Sequence, residues 1–539
     1  MKLISKSLLL FRTVRHLRLR QVAFQLFYRI RVKPKVATSQ SVALRDSKKG
    51  WEGELTGAQS FFPPYTFEFL NKKENVSTRE AWNNHNLPKL WLYNLHYFDD
   101  LNAPSSNERT SYHRDLVLRW ITENPVMHGN GWEPYPLSLR IVNWIKWLKR
   151  FPEMCESAVL SSLHTQTKAL EKQLEFHILA NHLFANIKAL IFAGYFFKGP
   201  EAERWLKKGL DLLSHELSEQ FLPDGAHYER SPMYHCILIW DVLDLICLLR
   251  DSDSNKKIVT HLVEVAQRGV GWLEKMLHPD GDIPFFNDST FGIAPTFYSI
   301  KKYATELNIS SQSMPLNESG FAVLKSKKLH MIMDIGEIAP TYQPGHAHAA
   351  VSSFELSAFG KRVFVNSGIS EYGISAERSF QRSSAAHNTV TAIVAAKEIS
   401  SSEMWSGFRV ARRSKVNSSA LARTVTCEVE GFYDGSKKCR HRRHVMLSEE
   451  DEQLIILDNL YSVDSARAYF YLHPDWGIRV EGGIVYISDE SHVIKVEFKG
   501  DNMNVINEPA YWNCGFGKQI ENQRIVVEFT SKLGMLITL

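Results

Sequence analysis

The sequence predicts a chain of two parts, an N-terminal α/α toroid followed by a C-terminal antiparallel β-sandwich. Helical periodicity runs almost without interruption from about residue 111 to 303, and about a dozen short segments after residue 320 alternate in polarity or are rich in β-branched residues. The chain of 539 residues, with 44% hydrophobic content, is also too long for a single core. We therefore expect a basic lead-in over residues 1–100, the toroid over 101–312 and the sandwich over 313–539.

The N-terminal segment, residues 1–45, carries many Lys and Arg residues but no Asp or Glu. Its longest apolar run, residues 8–11, is shorter than the roughly 7 to 15 residues of a signal-peptide core. No later segment is expected to supply the about 18 apolar residues of a membrane span. Two interpretations stay open: a basic amphipathic helix that contacts an anionic membrane or partner, and a helix that packs on its own protein.

The helices are predicted from apolar spacing and from turn residues. They are expected from about residue 136, over 157–174 and over 176–196. The Pro-Asp-Gly sequence at 223–225 predicts a turn, and Ser231 and Pro232 suit the N-cap and first position of the next helix. Helical hairpins whose loops present aromatic and acidic residues favour the toroid.

The pattern changes in the polar, turn-rich stretch 310–320, where we place the domain boundary. Beyond it, segments such as FAVLKS, LHMIMDIG, SSFELSAF, HNTVTAIV and QRIVVEFTS have the length and composition of β-strands. Short turns separate them. This succession favours an antiparallel β-sandwich.

Composition argues against several classes of function. A net charge of only +5 gives a weak drive toward nucleic acid, although a local basic cleft for an acidic substrate is compatible with it. The six cysteines are scattered without a C-x-x-C pair, so neither a disulfide framework nor a thiolate zinc module is indicated.

The stretch GHAHAAVSSFEL, residues 345–356, places His346 and His348 two positions apart at the head of a predicted β-strand. Side chains two positions apart share one face of a strand, so the two imidazoles are expected side by side. Three roles stay open from the residues alone: metal ligands, a proton-transfer group, or polar residues on a solvated edge.

Four motifs occur in order: ILANHLFANIKAL, PDGAHYERSPMYH, GHAHAAVSSFEL followed by RVFVNSG, and SSAAHNTV. With them the chain resembles the heparinase II/III family of polysaccharide lyases, which includes related alginate lyases. The motifs span about residues 180 to 390, and the ordered set is more specific than any single motif. The resemblance implies a bacterial enzyme with the toroid and sandwich architecture and an active site between the two.

Cleavage of a uronate polymer by β-elimination sets the requirements of such a site. A base removes the proton beside the carboxylate, and an acid protonates the departing glycosidic oxygen. A neutral or positive donor must bind the carboxylate, because the carbanion would otherwise add a second negative charge. Asn, Gln, His or Arg can bind it, whereas Asp and Glu would oppose it.

The resemblance assigns the binding of the carboxylate to Asn181 and His182, with His182 also able to act as a base. It assigns proton transfer to a tyrosine, for which Tyr234 is the best match and Tyr228 the rival. If the predicted N-cap is right, Tyr234 lies in the first turn of its helix, where the helix dipole is expected to lower its pKa. The structural alternatives are a polar helix edge for the Asn-His pair and a ring packed in the core for the tyrosine.

The resemblance further implies that His346 is catalytic and that His348, a later carboxylate and His387 hold a structural zinc. In this sequence Asn366 stands at the carboxylate position, and a neutral amide is a weaker zinc ligand. Ala350 also occupies a position that is often acidic in the family. We expect that no cofactor is required, that any zinc at His348, Asn366 and His387 is weakly held, and that the two histidines are otherwise linked by hydrogen bonds.

Aromatic and basic residues near these motifs are candidates for binding the glycan. Trp132 and Tyr135 belong to the stretch GWEPYPLSLR, whose composition is typical of sugar-stacking clefts and equally of toroid cores. Arg230, Arg378 and Arg382 are candidates for binding uronate or sulfate anions. The alternatives are pairing of Arg230 with a neighbouring carboxylate and surface positions for the other two.

The sequence thus predicts a polysaccharide lyase that cleaves an acidic, uronate-containing glycan by β-elimination. A catalytically degenerate glycan-binding protein that serves extracellular or capsular polysaccharide assembly is the alternative, and a zinc hydrolase is disfavoured because no H-E-x-x-H set occurs. The expected partner is an acidic polysaccharide and not nucleic acid, with peripheral membrane contact through the basic N-terminus. Because degradative members of the family carry signal peptides and none is visible here, we expect a cytoplasmic or inner-membrane-associated location, with the periplasm as the alternative. The sequence does not specify the polymer, its sulfation, or endo or exo action.

Overall fold

The computed structural model of the chain describes residues 2–32, 34–39, 42–45, 50–434, 437–448 and 452–539. These residues form a mainly helical region, residues 2–306, and a mainly β-sheet region, residues 321–539. The α-helices α1 to α12 of the described residues are Lys2–Val14, Leu19–Ile30, Lys89–Tyr97, Thr110–Glu123, Pro134–Arg150, Ser157–Glu171, Ala180–Phe196, Pro200–Gln220, Pro232–Leu249, Lys256–Met276, Phe297–Glu306 and Ala376–Gln381.

The strands of the described residues are numbered β1 to β24 in chain order. They are Ala43–Leu44, Phe61–Phe62, Thr66–Phe69, Lys72–Asn75, Phe197–Lys198, Phe321–Lys325, Leu329–Asp334, Phe354–Ala358, Lys361–Phe364, Val390–Val394, Lys397–Ile399, Glu403–Trp405, Arg409–Arg412, Lys415–Ala420, Thr424–Asp434, Lys437–Ser448, Gln453–Tyr461, Ser465–Tyr471, Gly477–Glu481, Ile484–Ser488, Val493–Gly500, Asn504–Gly515, Lys518–Phe529 and Lys532–Thr538. Three larger sheets result, with strand orders β6-β7-β8-β9, β11-β10-β18-β23-β22 and β14-β15-β16-β17-β24-β21-β20-β19. All strand pairs within them are antiparallel. The predicted succession of helices followed by antiparallel strands is confirmed at this level.

The helix boundaries differ from the prediction at two places: α6 ends at Glu171 and not at residue 174, and α7 begins late. That helix begins at Ala180 and not at residue 176, because Leu179 and Ala180 have φ angles of 69° and 53°, outside the right-handed helical range. The predicted N-cap of α9 is confirmed, since the Ser231 hydroxyl accepts a hydrogen bond from the backbone N–H of Tyr234. The predicted turn at 223–225 also forms, with Gly225 at a φ of 98° that favours glycine.

Two hydrophobic cores meet at strand β7. Ile332 packs with the helical region, whereas its neighbours Met331 and Met333 pack with the sheet region. Alternate side chains of a strand point to opposite faces, so every β7 residue is buried. The two regions therefore share this strand, and the loops around it reach the N-terminal ends of α7 and α9.

The basic N-terminal segment forms α1 and α2, and one face of each helix packs on the rest of the protein. Gln21 of α2 donates to the carbonyl of Tyr342 at 3.1 Å, and the Phe24 ring lies 4.8 Å from that of Phe176. On α1, the Thr13 hydroxyl accepts a hydrogen bond from the Trp405 indole at 3.0 Å. Packing on its own protein, one of the two interpretations of this segment, is thus confirmed for these inner faces.

One helix of the described residues, α9, is long and apolar enough to cross a membrane by length and composition alone. The sequence had led us to expect no such segment. Its residues are almost entirely buried inside the helical region. A core helix that is surrounded on all sides is apolar all round for the same physical reason as a span, because no face meets water.

Candidate active site

Tyr234 lies in the first turn of α9 and meets groups from the sheet region. Its hydroxyl is hydrogen-bonded to that of Tyr372 at 3.1 Å, and its ring stacks on the imidazole of His346 with centroids 3.9 Å apart. Burial raises the pKa of Tyr234 well above its ordinary value. The expectation that the helix dipole lowers this pKa is therefore wrong, because loss of hydration outweighs the dipole at a buried phenol.

Tyr228, the rival tyrosine, lies in the loop before α9 and faces a different environment. Its ring contacts those of His227 and Tyr342, at centroid distances of 4.9 and 6.1 Å. It is buried to a similar degree as Tyr234. The two tyrosines therefore differ in their neighbours rather than in their exposure, and Tyr234 is the one stacked on an imidazole.

His346 and His348 lie in a loop, and not on a strand as expected, because β8 begins only at Phe354. Both rings nevertheless converge on one carboxylate. His346 Nδ1 and His348 Nε2 each lie 2.8 Å from an oxygen of Asp288. A shared acceptor, rather than strand geometry, places the imidazoles side by side.

Asp288 is fully buried and is the centre of this cluster. Arg378 donates two hydrogen bonds to it, of 2.5 and 2.8 Å, from a side chain that is itself fully buried. Burial alone would raise the pKa of Asp288, but Arg378 and the two histidines hold it well below its usual range. The carboxylate is therefore ionised, and the imidazole nitrogens facing it carry protons. Asp288 thus fixes the orientation of both rings, and Nε2 of His346, on the far side of its ring, lies 3.6 Å from Glu229 Oε2.

Asn181 and His182 occupy the first turn of α7. The Glu175 carboxylate lies 2.9 Å from His182 Nδ1 and, through its other oxygen, accepts a hydrogen bond from the Asn186 amide at 3.0 Å. Burial opposes protonation of His182, but Glu175 outweighs it and the pKa of His182 is raised. Asn186 thus bonds Glu175 and not His182 itself, so any effect of Asn186 on the orientation of the His182 ring passes through Glu175.

The amide of Asn181 is buried at the same end of the site. Its backbone N–H points at Glu229 Oε1 over 3.5 Å, and its side-chain Oδ1 has no hydrogen-bond partner among the described residues. The Tyr135 ring packs against His182 with centroids 4.4 Å apart. Tyr135 and His182 thus pack together, and Glu229 links the start of α7 at Asn181 to His346.

Backbone strain is concentrated where these side chains are presented. Ala180, Arg230 and Asn287 have φ angles of 53°, 55° and 56°. They immediately precede Asn181, the Ser231 cap of α9 and Asp288. Left-handed conformations of non-glycine residues cost of the order of 1–3 kcal/mol each and cluster at functional sites.

Four residues of the site were not singled out from the sequence. Asp288 and Tyr372 contact the two catalytic candidates directly, Glu175 orients His182, and Glu229 Oε2 lies 3.6 Å from His346 Nε2. Burial raises the pKa of Glu229. Glu229 stands within the motif PDGAHYERSPMYH, which could have drawn attention to it. Asp288 and Tyr372 carry no local signal, because their partners are 58 and 138 residues away, whereas Glu175 lies only seven residues before His182.

The proposed zinc ligands supply two good donors and one weak donor. His387 Nδ1 donates to the carbonyl of Ser383 at 2.7 Å, so its Nε2 lone pair faces His348 Nδ1 over 3.1 Å. Burial lowers the pKa of His348 to about 4 and that of His387 to about 3. A hydrogen bond between the two rings requires a proton on one of these two facing nitrogens. The hydrogen-bond distance expected between these two rings is confirmed.

Asn366 does not complete a strong metal site. Its Oδ1 accepts the backbone N–H of Asn388 at 3.1 Å, and it brings no negative charge. Across the described ranges, no group of three or more His, Cys, Asp or Glu side chains is arranged to hold a metal ion. The donor set of His348, Asn366 and His387 therefore fits zinc only in part.

The remaining candidates for glycan binding have internal partners. Trp132 is buried against Trp120, with ring centroids 5.8 Å apart, and its indole donates to a backbone carbonyl. Arg230 donates to the carbonyls of Glu337 and Glu318, which joins the two regions. Arg382 donates to the carbonyls of Ala347 and Pro344 and so holds the histidine loop. The contacts of these side chains are made within the protein, where they support the loops around the site.

The structure defines a mixed helical and β-sheet protein in which the candidate proton-transfer residues Tyr234 and His346 stack where its two regions meet. Comparison with protein families places both regions. Residues 21–312 match the heparinase II/III N-terminus, and residues 308–536 match the heparinase II/III-like C-terminal domain. The chain therefore belongs to the heparinase II/III family.

Individual relatives are more distant. The chain is 24% identical over 238 residues to a heparin-sulfate lyase of Bacteroides stercoris, a match covering 39% of this chain and 35% of the relative. It is 25% identical over 259 residues to a heparin-sulfate lyase of Pedobacter heparinus, a match covering 43% of this chain and 38% of the relative. The matched part thus spans little more than a third of the length of these curated relatives.

Solved structures extend the likeness in fold over most of the chain. A crystal structure of heparinase III superposes with a TM-score of 0.64 at 17% identity and covers 87% of this chain and 79% of the other. The structure of a mutant of heparan sulfate lyase HepC from Pedobacter heparinus superposes with a TM-score of 0.59 at 17% identity and covers 88% of this chain and 81% of the other. At this identity the likeness establishes the fold.

Proposed function

We propose that the protein is a polysaccharide lyase that cleaves an acidic, uronate-containing glycan by β-elimination. The observation that carries this proposal is the stacking of the Tyr234 phenol on the Asp288-bound imidazole of His346, which Glu229 links to the start of α7 at Asn181. Family membership and the heparin-sulfate lyases among its relatives support it. In this proposal the helical region is an α/α toroid and the sheet region a β-sandwich, with lead-in, toroid and sandwich over 1–100, 101–312 and 313–539.

The protonation states derived above suggest how the work is divided. A neutral phenol is a ready proton donor, so we assign protonation of the glycosidic oxygen to Tyr234. We assign the general base to His346, whose ring is oriented by Asp288 through Nδ1 and whose Nε2 lies on the opposite side of the ring. Asn181, with His182, binds the uronate carboxylate and stabilises the charge that develops on it. Arg378 and Arg382 act by holding Asp288 and the histidine loop.

The alternative is a glycan-binding protein that retains the fold without catalysis and serves polysaccharide assembly. Asn366 and Ala350, which depart from the family pattern, favour it. Both departures lie at or near the proposed zinc ligands and not at Tyr234, His346 or Asn181. For this reason we place catalysis first, with no cofactor required and any zinc weakly held.

An elimination assay tests the proposal. Each elimination creates an unsaturated uronate that absorbs in the ultraviolet, whereas binding alone creates none. Purified protein is incubated with alginate, heparan sulfate, hyaluronan and bacterial capsular glycans, and binding is measured separately. Absorbance that rises with at least one glycan is expected, and binding without any rise on the whole panel would favour the non-catalytic alternative.

Two matched tyrosine variants test the assignment. Tyr234→Phe deletes only the hydroxyl and should lower kcat by about 10²- to 10⁴-fold while leaving binding nearly intact. Tyr228→Phe, the control with similar burial, should retain turnover. The reverse ranking would show that Tyr228 transfers the proton, and full turnover in both variants would contradict the mechanism.

The expected location is cytoplasmic or on the inner membrane, with the periplasm as the alternative. The basic N-terminal segment motivates this proposal. Fractionation of cells that produce the full chain should recover it from cytosol and inner membrane, and recovery by osmotic shock alone would contradict it.

A further inference from the structure

The outward face of α2 carries an apolar stripe. Leu19, Ala23, Leu26 and Ile30, spaced i, i+4, i+7 and i+11, are all exposed, Leu19 at 88% and Ile30 at 81%. These intervals place them on one side of the helix. In an ordinary surface helix such a stripe faces the core, whereas here the core contact is made by the opposite side, which includes Gln21.

The outward face of α1 has the same character. Leu8, Leu10, Phe11 and Val14 are exposed, with Phe11 at 67%. The helix is held from its other side by the Trp405–Thr13 hydrogen bond. Both helices are thus fixed to the protein by their inner faces and leave these apolar residues exposed to water.

This concentration is exceptional within the protein. Among the described residues, 21 large hydrophobic side chains are exposed, and nine of them fall between residues 8 and 32. Single exposed apolar residues need no explanation, but a set gathered on two adjacent helices marks an interaction surface.

The charge of the same segment points to the partner. Of the 64 Lys and Arg residues of the chain, 11 lie in residues 1–45, which contain no Asp or Glu. The other residues carry 53 Lys and Arg against 59 Asp and Glu, so the whole positive excess of the protein belongs to this segment. Lys6, Arg15, Arg20 and Arg29 are exposed beside the apolar residues.

We propose that the outer faces of α1 and α2 dock on an anionic phospholipid bilayer. Aliphatic side chains would enter the boundary between headgroups and acyl chains while the cations bind lipid phosphates and carboxylates. A soluble polyanion such as the glycan would engage the cations but give the apolar stripe nothing to contact. The surface is preformed, because the inner contacts of both helices fix it before the bilayer is met.

The docked helices would hold the catalytic loops near the membrane. Gln21 of α2 bonds Tyr342, which lies four residues before His346, and Phe24 contacts Phe176, five residues before Asn181. A lyase fixed in this way would meet glycan chains at the bilayer surface. Docking itself does not depend on lyase activity.

Vesicle sedimentation of the full chain tests the proposal. Vesicles contain phosphatidylcholine alone or with about one third phosphatidylserine, at low salt and at about 0.5 M salt. The test variant is Leu19→Ser/Leu26→Ser/Ile30→Ser. The control variant, Tyr298→Ser/Leu421→Ser/Val493→Ser, removes three exposed apolar residues from other surfaces. A charge pair compares Lys6→Glu/Arg29→Glu with Lys257→Glu, and circular dichroism shows that each variant is folded.

The wild type should bind the anionic vesicles, lose at least about tenfold in partition at high salt, and bind phosphatidylcholine weakly. The stripe variant and Lys6→Glu/Arg29→Glu should each bind at least about tenfold less, and the controls should bind as the wild type does. Equal binding by stripe variant and wild type would overturn the proposal. A second result would also overturn it: the wild type does not bind vesicles, and light scattering shows a dimer that the stripe variant no longer forms. The surface would then join two copies of the chain. Elimination by an enzyme that does not bind vesicles would refute docking and leave the proposed function standing.

Discussion

Replacement of Asp288 by Asn should separate the positioning of the catalytic imidazole from the stability of the fold. Asp288 accepts two hydrogen bonds from Arg378 and one each from His346 and His348. Asn keeps the shape but removes the charge, and its amide nitrogen would face a donor. Arg378 would remain buried without an anion.

The magnitude follows from this geometry. Removal of one partner of a buried, hydrogen-bonded ion pair costs about 3–5 kcal/mol, because the other charge stays out of water. The free energy of unfolding should fall by that amount. The folded fraction should also lose about 10²- to 10⁴-fold in kcat, because the His346 ring is no longer held in place by the carboxylate.

Asp458→Asn is the matched control. Asp458 is buried on β17 and accepts two hydrogen bonds from Arg443, of 2.8 and 2.9 Å, and one from His441 at 2.7 Å. The same loss of stability is expected, but this aspartate bonds neither His346 nor Tyr234. Its folded fraction should turn over as the wild type does.

Urea unfolding and initial elimination rates, both measured under conditions where each variant is folded, make the comparison. If both variants lose similar stability and both keep kcat, Asp288 supports the fold alone and the orientation argument fails. If Asp288→Asn is as stable as the wild type, the Arg378–Asp288 pair is not the buried ion pair described above.

Three further outcomes are expected. Asn181→Ala should depress kcat strongly, as measured by initial rates, because its amide acts on charge that develops in the transition state, and an unchanged kcat would remove it from the mechanism. Burial raises the pKa of Glu355 to about 7 above an unfolded value near 4.3, so its contribution to stability is complete below about pH 4 and is lost as pH rises to about 7. In thermal melts, the melting temperature of Glu355→Gln should fall less than that of the wild type between about pH 4 and pH 7. An equal fall would contradict the assignment of this pH dependence to Glu355. Elemental analysis of the purified protein should find less than one equivalent of zinc per chain. His348→Ala should lose that zinc and also lose thermal stability. One tightly held zinc per chain would show that the amide of Asn366 is a sufficient third ligand.

Periodicity predicted the order of helices and strands because it reports burial. It could not show where α7 begins, since the apolar spacing continues through Ile178 and Leu179 while the backbone leaves the helical range at Leu179 and Ala180. About a dozen strands were predicted after residue 320, whereas the described residues form nineteen, β6 to β24. Strand β22 is one of those missed, because Pro509 interrupts its pattern. Proline is tolerated there because β22 is the edge strand of its sheet.

The site was predictable where a motif names its residues and not where the fold supplies the partner. Asp288 lies 58 residues from His346 and 90 from Arg378. No local spacing encodes those contacts, and the FNDS sequence reads only as a turn. The adjacency of the two histidines was foreseen, but the reason was wrong, since the shared carboxylate and not a strand face produces it.

The partners of the arginines change how the site must recognise an anion. Arg378 is neutralised by Asp288, and Arg382 is committed to backbone carbonyls, so neither offers a free cation to the glycan. In the proposed lyase, recognition of the uronate then falls to Asn181, His182 and the hydroxyl of Tyr135, of which only His182 can carry a positive charge. A neutral donor suits the transition state, because it strengthens as the enolate gains charge without binding the ground-state carboxylate so tightly that the barrier rises.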